Sequence, residues 1–117
     1  MVYMLMIYAD EGDWTNKSEA EMAPIMRAHE QLEQDLRKAG HYRGCGGLAP
    51  TSAATTVRIR NGKPVITDGP YAETKEQFGG YYLVEAKDLD EALSFAARIP
   101  AVGNRAIEVR PVLDLRT

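Results

Sequence analysis

Residues Val2 to Ala9 form an unbroken apolar run near the start of the chain. Read with the two-residue period of a strand, Met4, Met6 and Tyr8 fall on one face and Tyr3, Leu5 and Ile7 on the other. A strand that is apolar on both faces has to be covered on both. In a single domain of 117 residues, helices of the same chain supply one cover. A second copy of the chain is the most economical source of the other. The core available to so short a chain is modest, and burial at a subunit interface adds to it.

The next long segment opens on Ser18-Glu19-Ala20-Glu21, which has the form of a capping box. The spacing predicts a helix from there to about Ala39, with Gly40 as its stop. Pro24 falls in the first turns, where a missing N–H does little harm. The apolar stripe is Met22, Ile25, Met26, Leu32 and Leu36. His29 interrupts it where a leucine is expected. It is a satisfied core histidine, a half-exposed residue at the edge of the stripe, or an acid/base facing a cavity between helix and sheet. Before this helix, Asp10 to Lys17 reads as a polar loop in which Trp14 packs over the domain edge or lines a pocket; packing is the simpler reading. His41, just past Gly40, suits the C-terminal end of the helix dipole.

Tyr42 to Leu48 reads as a glycine-rich strand, and three glycines there imply a bulge or the close approach of a backbone or ligand. Ala54 to Arg60 alternates: Thr55, Val57 and Ile59 point one way, Thr56, Arg58 and Arg60 the other. Asn61-Gly62 is a hairpin turn, and Lys63 to Thr67 returns as its partner. Gly80 to Ala86 is a further strand, with Tyr81 and Leu83 on one face and Tyr82 and Val84 on the other. Asp88 caps a second helix with Leu89, Ala92, Leu93, Ala96 and Ala97 as its stripe, ended by Pro100. Ala106 to Val112 is the last strand, followed by a loose tail at 114–117. The order is two βαβ halves around an inserted hairpin, which implies an α+β ferredoxin-like sandwich: one antiparallel sheet, two helices on one face. The bare face again calls for a homodimer, with Tyr82 and Arg58 as interface candidates.

Between hairpin and strand lies Thr67-Asp68-Gly69-Pro70-Tyr71-Ala72-Glu73-Thr74-Lys75-Glu76. Gly69 takes φ > 0 readily, and Pro70 locks its own φ, so the turn is fixed. A fixed turn either caps itself through the Asp68 carboxylate or holds that carboxylate for use elsewhere. The run from Asp68 to Leu83 resembles the signature of the DGPF branch of the YCII-related family. Tyr3 to Tyr8, Gly47 to Pro50 and Ile107 to Pro111 extend the likeness over most of the chain. The resemblance implies a dimeric α+β barrel, two sheets packed face to face. It also implies a histidine of the first helix working with an aspartate, here His29 and Asp68, with Gly47 bordering the pocket.

Composition narrows the function. A net charge of −3 with scattered basic residues argues against nucleic-acid binding. No apolar run is long enough to span a bilayer, and the chain opens without a signal-peptide pattern, so a cytoplasmic protein is expected. The lone Cys45 makes no intrachain disulfide and reads as a small strand residue. No ligand cluster calls for a metal, and no cofactor is required. Two functions compete. One is an enzyme in which His29 is the acid/base and Asp68 its orienting carboxylate, while Gly69, Pro70, Tyr71, Glu73 and Lys75 hold the substrate. Its chemistry would be isomerisation, elimination or a hydrolysis-like step on a small oxo- or hydroxy-acid. The other is a ligand-sensing module; the resemblance implies association with an extracytoplasmic-function sigma factor.

Overall fold

The computed structural model describes residues 1–100 and 102–114. Its elements are β1 (Val2–Ala9), α1 (Gly12–Thr15), α2 (Glu19–Lys38), β2 (Tyr42–Gly47), β3 (Thr55–Arg60), β4 (Lys63–Asp68), β5 (Gln77–Glu85), α3 (Leu89–Ala96) and β6 (Ala106–Pro111). Strands β2, β5, β1 and β6 lie side by side in that order, each antiparallel to its neighbour. With β3 and β4 set aside, this is the ferredoxin-like α+β arrangement. Of the expected tail, only Asp114 is among the described residues.

Helix α2 starts as its sequence requires. The Ser18 side chain accepts from the Glu21 N–H and the Glu21 carboxylate accepts from the Ser18 N–H, so two orphan donors of the first turn are satisfied. Gly40, at φ 80°, takes the left-handed position just past the C-cap Ala39. Leu32 and Leu36 drop into a core made with Tyr3 and Leu5 of β1, Tyr82 and Val84 of β5, and Ala92, Ala96 and Ile99. Helix α3 buries a narrower stripe than expected. Its buried side is Ala92, Ala96 and the following Ile99, whereas Leu89 and Leu93 are 49% and 45% exposed. Both sets are at helical spacing; the alanines admit a closer approach of helix to sheet than leucines would. Tyr82 is also moved from its expected place. It is 4% exposed and lies under α2, so it belongs to the core and not to an open interface.

The other sheet face carries Met4, Met6 and Tyr8 of β1 paired with Leu83, Tyr81 and Phe78 of β5. On this face Met6 is buried within its own chain, and Met4, Tyr8, Tyr81 and Leu83 are half-buried. The hairpin β3–β4 forms a sheet of its own and pairs with none of the other four strands. Asn61 (φ 51°) and Gly62 (φ 76°) make the tight turn expected of them. The register sets Val57 against Ile66 and Ile59 against Pro64 on one side of this arm, and Val57, Ile59 and Ile66 are 59%, 69% and 67% exposed. The arm makes the molecule open: its radius of gyration is 16.2 Å, against about 13 Å for a compact domain of this length.

Candidate active site

A cavity of about 390 Å³ lies between α2 and the sheet. Glycines make room for it. Gly79 is the extra residue of a β-bulge opposite Ile7 and Tyr8, a device that opens a sheet beside a site. An added Cβ at Gly80 would sit 3.0 Å from the Gly46 carbonyl oxygen, so here β5 and β2 approach too closely for a side chain. At Gly47 and Gly79 an added Cβ would meet nothing within 4 Å; both line open space. The remaining wall is largely apolar, with Ile7 from β1 and Met22, Ile25 and Met26 from α2. Trp14 also lines it, on the short helix α1 that occupies the expected polar loop.

His29 enters this cavity from α2, one turn before Leu32 and the buried core. Its Nδ1 lies 2.6 Å from the Tyr82 hydroxyl, with the two rings stacked at 5.9 Å between centroids and 12° between planes. Burial pushes the Tyr82 phenol well above its ordinary pKa, which keeps it protonated. Burial also lowers the His29 pKa, so the ring is neutral at neutral pH. A hydroxyl both donates and accepts. When Tyr82 donates to Nδ1, Nε2 carries the ring proton and is a donor. When Tyr82 accepts from Nδ1–H, Nε2 is bare and is a base. The ring orientation is the same in both.

A second polar group lies beside this pair. The Cys45 thiol donates to Glu33 Oε1 (3.2 Å), and the Tyr42 hydroxyl donates to Cys45 Sγ (3.4 Å). Arg37 donates to Glu33 Oε2 at 3.1 Å and stands 4.0 Å over the Tyr42 ring. Burial and, less strongly, the Glu33 carboxylate raise the Cys45 pKa, so the group is a neutral thiol held by polar neighbours. Cys45 and Glu33 both line the cavity.

Of the residues singled out in the sequence, His29 and Gly47 line this cavity. Asp68 ends β4 on the arm and is exposed, and among the described residues its carboxylate makes neither a hydrogen bond nor an ion pair. Gly69 has φ 99°; its N–H donates to the Ala54 carbonyl (2.8 Å) and its own carbonyl accepts from Thr56 Oγ1 (2.7 Å). These bonds fix the turn without the carboxylate. Pro70 is half-buried, and Tyr71, Glu73 and Lys75 are exposed, with the Arg58 guanidinium 4.9 Å over the Tyr71 ring. None of these turn residues lines the cavity of its own chain. The sequence reading did not find Tyr82 as the partner of His29, nor Glu33 and Arg105 as cavity residues. The alternation of β5 held part of the Tyr82 signal: it shares a face with Val84, and only the choice of the helix-covered face was missing.

Fold and site together define a small ferredoxin-like domain with a helix-to-sheet cavity that holds a neutral imidazole on a phenol. The chain belongs to the YCII-related family, whose domain matches residues 1–116. It is similar to the uncharacterized protein R00369 of Rhizobium meliloti (strain 1021), with 38% identity over 116 residues that cover 96% of this chain and 92% of that protein. Among the described residues, no helix is long and apolar enough to cross a membrane.

Proposed function

We propose that the protein is an enzyme of proton transfer, acting on a small oxo- or hydroxy-acid held in the cavity. The observation that carries this reading is the 2.6 Å contact of His29 Nδ1 with the Tyr82 hydroxyl in a cavity otherwise largely apolar. In the tautomer with Nδ1–H on Tyr82, Nε2 takes a proton from a carbon next to a carbonyl. The electron pair of that C–H bond moves into the carbonyl as an enolate. The imidazolium then returns its proton to another carbon, which isomerises the substrate, or to a departing group, which completes an elimination. Burial disfavours the imidazolium, so the proton does not stay on the ring.

The functional unit in this reading is a homodimer. The sheet face of Met4, Tyr81 and Leu83, half-buried in the single chain, and the exposed apolar side of the arm call for the same occupant, a second copy of the chain. The turn from Asp68 to Glu76 rides at the base of the arm. Through the dimer, Asp68, Gly69, Pro70, Tyr71, Glu73 and Lys75 meet the neighbouring copy and close its cavity. The unpaired Asp68 carboxylate supports this placement.

Solvent deuterium exchange at carbon, followed by proton NMR, tests the chemistry. A panel of small 2-oxo acids and unsaturated lactones is incubated with the protein in heavy water. Exchange is expected with at least one, and a fall of about 10²-fold or more is expected in His29→Gln. Equal exchange by wild type and His29→Gln, or none across the panel, overturns the reading.

A further inference from the structure

Arg105 lies on the segment leading into β6 and lines the same cavity as His29. Its Nη2 donates to the carbonyl of Ile99 at 2.6 Å, a residue of the solid core, so the guanidinium is tied in place. Its Nε–H is buried with no acceptor among the described residues. None of the described carboxylates comes within ion-pair distance of it, whereas Arg37, Arg98 and Arg110 each have one. A half-buried guanidinium without a counter-charge, beside a mainly apolar wall, is an unfavourable arrangement in an empty site. It becomes favourable when an anion arrives, because the planar fork matches a carboxylate in two parallel hydrogen bonds.

Two carboxylates line the cavity as well, and they have to be accounted for. Glu33 is already occupied by Arg37 and the Cys45 thiol. Glu30 is exposed to solvent. Neither supplies the missing partner of Arg105.

We propose that Arg105 is the anchor for the carboxylate of the cavity's ligand, and that the ligand is therefore an organic acid with an apolar body. The body lies against Ile25 and Met26, and the carboxylate sits on the guanidinium. This deepens the proton-transfer reading given above and rests on it for the identity of the site: Arg105 fixes one end of the substrate, which sets which carbon faces His29.

The test uses the full chain and two probes of one shape, 4-phenylbutyrate and 4-phenylbutan-1-ol. The chain has one tryptophan, Trp14, and it lines the cavity, so its fluorescence reports occupancy. Wild type is expected to bind the acid at least tenfold more tightly than the alcohol, with a preference that shrinks as salt rises. Arg105→Gln is expected to abolish the preference and leave alcohol binding unchanged; Arg105→Lys, which keeps the charge and loses the fork, is expected to fall between. Should Arg105→Gln fail to fold, the lysine variant and the salt series on wild type still decide. Alcohol binding with no preference for the acid, or a preference that survives Arg105→Gln, overturns the role of Arg105 and leaves the cavity as a binding site. Binding of neither probe overturns both.

Discussion

The Nδ1 of His29 and the hydroxyl of Tyr82 stand 2.6 Å apart across the space between α2 and β5. The two residues are 53 positions apart in the chain. This partner differs in kind from a carboxylate. A carboxylate beside an imidazole favours the charged ring and accepts only. A buried phenol brings no charge, serves either tautomer, and leaves the ring neutral. His29 is therefore neutral at neutral pH, and its protonated form is a stronger acid than an ordinary imidazolium.

The pair makes a double-mutant cycle informative. Tyr82→Phe alone leaves a half-buried imidazole nitrogen without its partner and is expected to destabilise the fold by roughly 1–3 kcal/mol. His29→Leu restores the residue that the apolar stripe of α2 favours. In that background, Tyr82→Phe is expected to be nearly neutral, because both polar partners are gone. Urea denaturation of the four proteins measures the coupling, expected at about 1–3 kcal/mol. Strictly additive changes would show that the contact contributes nothing to stability.

The depressed pKa of His29 gives a pH dependence with a definite sign. Burial lowers the folded-state value below the 6.5 of an ordinary histidine. The unfolded chain then binds more protons than the folded one in the window just below 6.5, so stability falls as the solution is acidified through it. The contribution is fully present above the unfolded value. His29→Leu is expected to flatten this part of the profile, as read from melting temperatures between about pH 5 and 7. A steeper profile in the variant, or an NMR titration of His29 in the wild type that lies above 6.5, would contradict it.

Much of this architecture can be read from the chain because its signals are local. The capping box at Ser18 and Glu21, the stop at Gly40 and the Asn61-Gly62 turn each depend on a few adjacent residues, and each forms as read. The helix-covered face of β5 was not legible in the same way. Both its faces are apolar, so alternation groups Tyr82 with Val84 without saying what lies above them. On α3 the expected stripe was too wide: Ala92 and Ala96 are buried as read, while Leu89, Leu93 and Ala97 are exposed. Leu89 and Leu93 outweigh Ala92 and Ala96 on any hydrophobicity scale, yet the sheet takes the small residues. At the site, His29 stood out because it broke a leucine pattern. Arg105 broke no pattern, and only the fold brings it to the cavity.

The thiol of Cys45 is expected to be unreactive. Burial raises its pKa first, and the nearby Glu33 carboxylate adds to the effect, so little thiolate is present at neutral pH. Reaction with 5,5′-dithiobis(2-nitrobenzoate) at pH 7.5 is expected to run at least tenfold slower in the folded protein than in the urea-unfolded chain. Glu33→Gln removes the carboxylate and is expected to speed the folded-state reaction while leaving it below the unfolded rate. A folded-state rate equal to that of the unfolded chain would show Cys45 to be an available nucleophile.

The sheet face opposite the helices and one side of the arm are both apolar, and a second copy of the chain would cover both. The sheet face offers Met4, Tyr81 and Leu83, half-buried in the single chain; the arm offers Val57, Ile59 and Ile66, which are exposed. Sedimentation equilibrium is expected to return twice the 13.0 kDa of the chain at micromolar concentration. Ile66→Glu and Leu83→Glu put a charge on the arm and on the sheet face in turn, and each is expected to shift the equilibrium to monomer. Ile66 is 67% exposed within its own chain, so the glutamate there harms no intrachain packing. Any loss of melting temperature in Ile66→Glu then measures the stability the second copy contributes, and it grows with dilution of the wild type as mass action requires. A wild type that sediments as a monomer, with a melting temperature independent of concentration, removes the second copy from the account and with it any role for Asp68 in a neighbour's cavity.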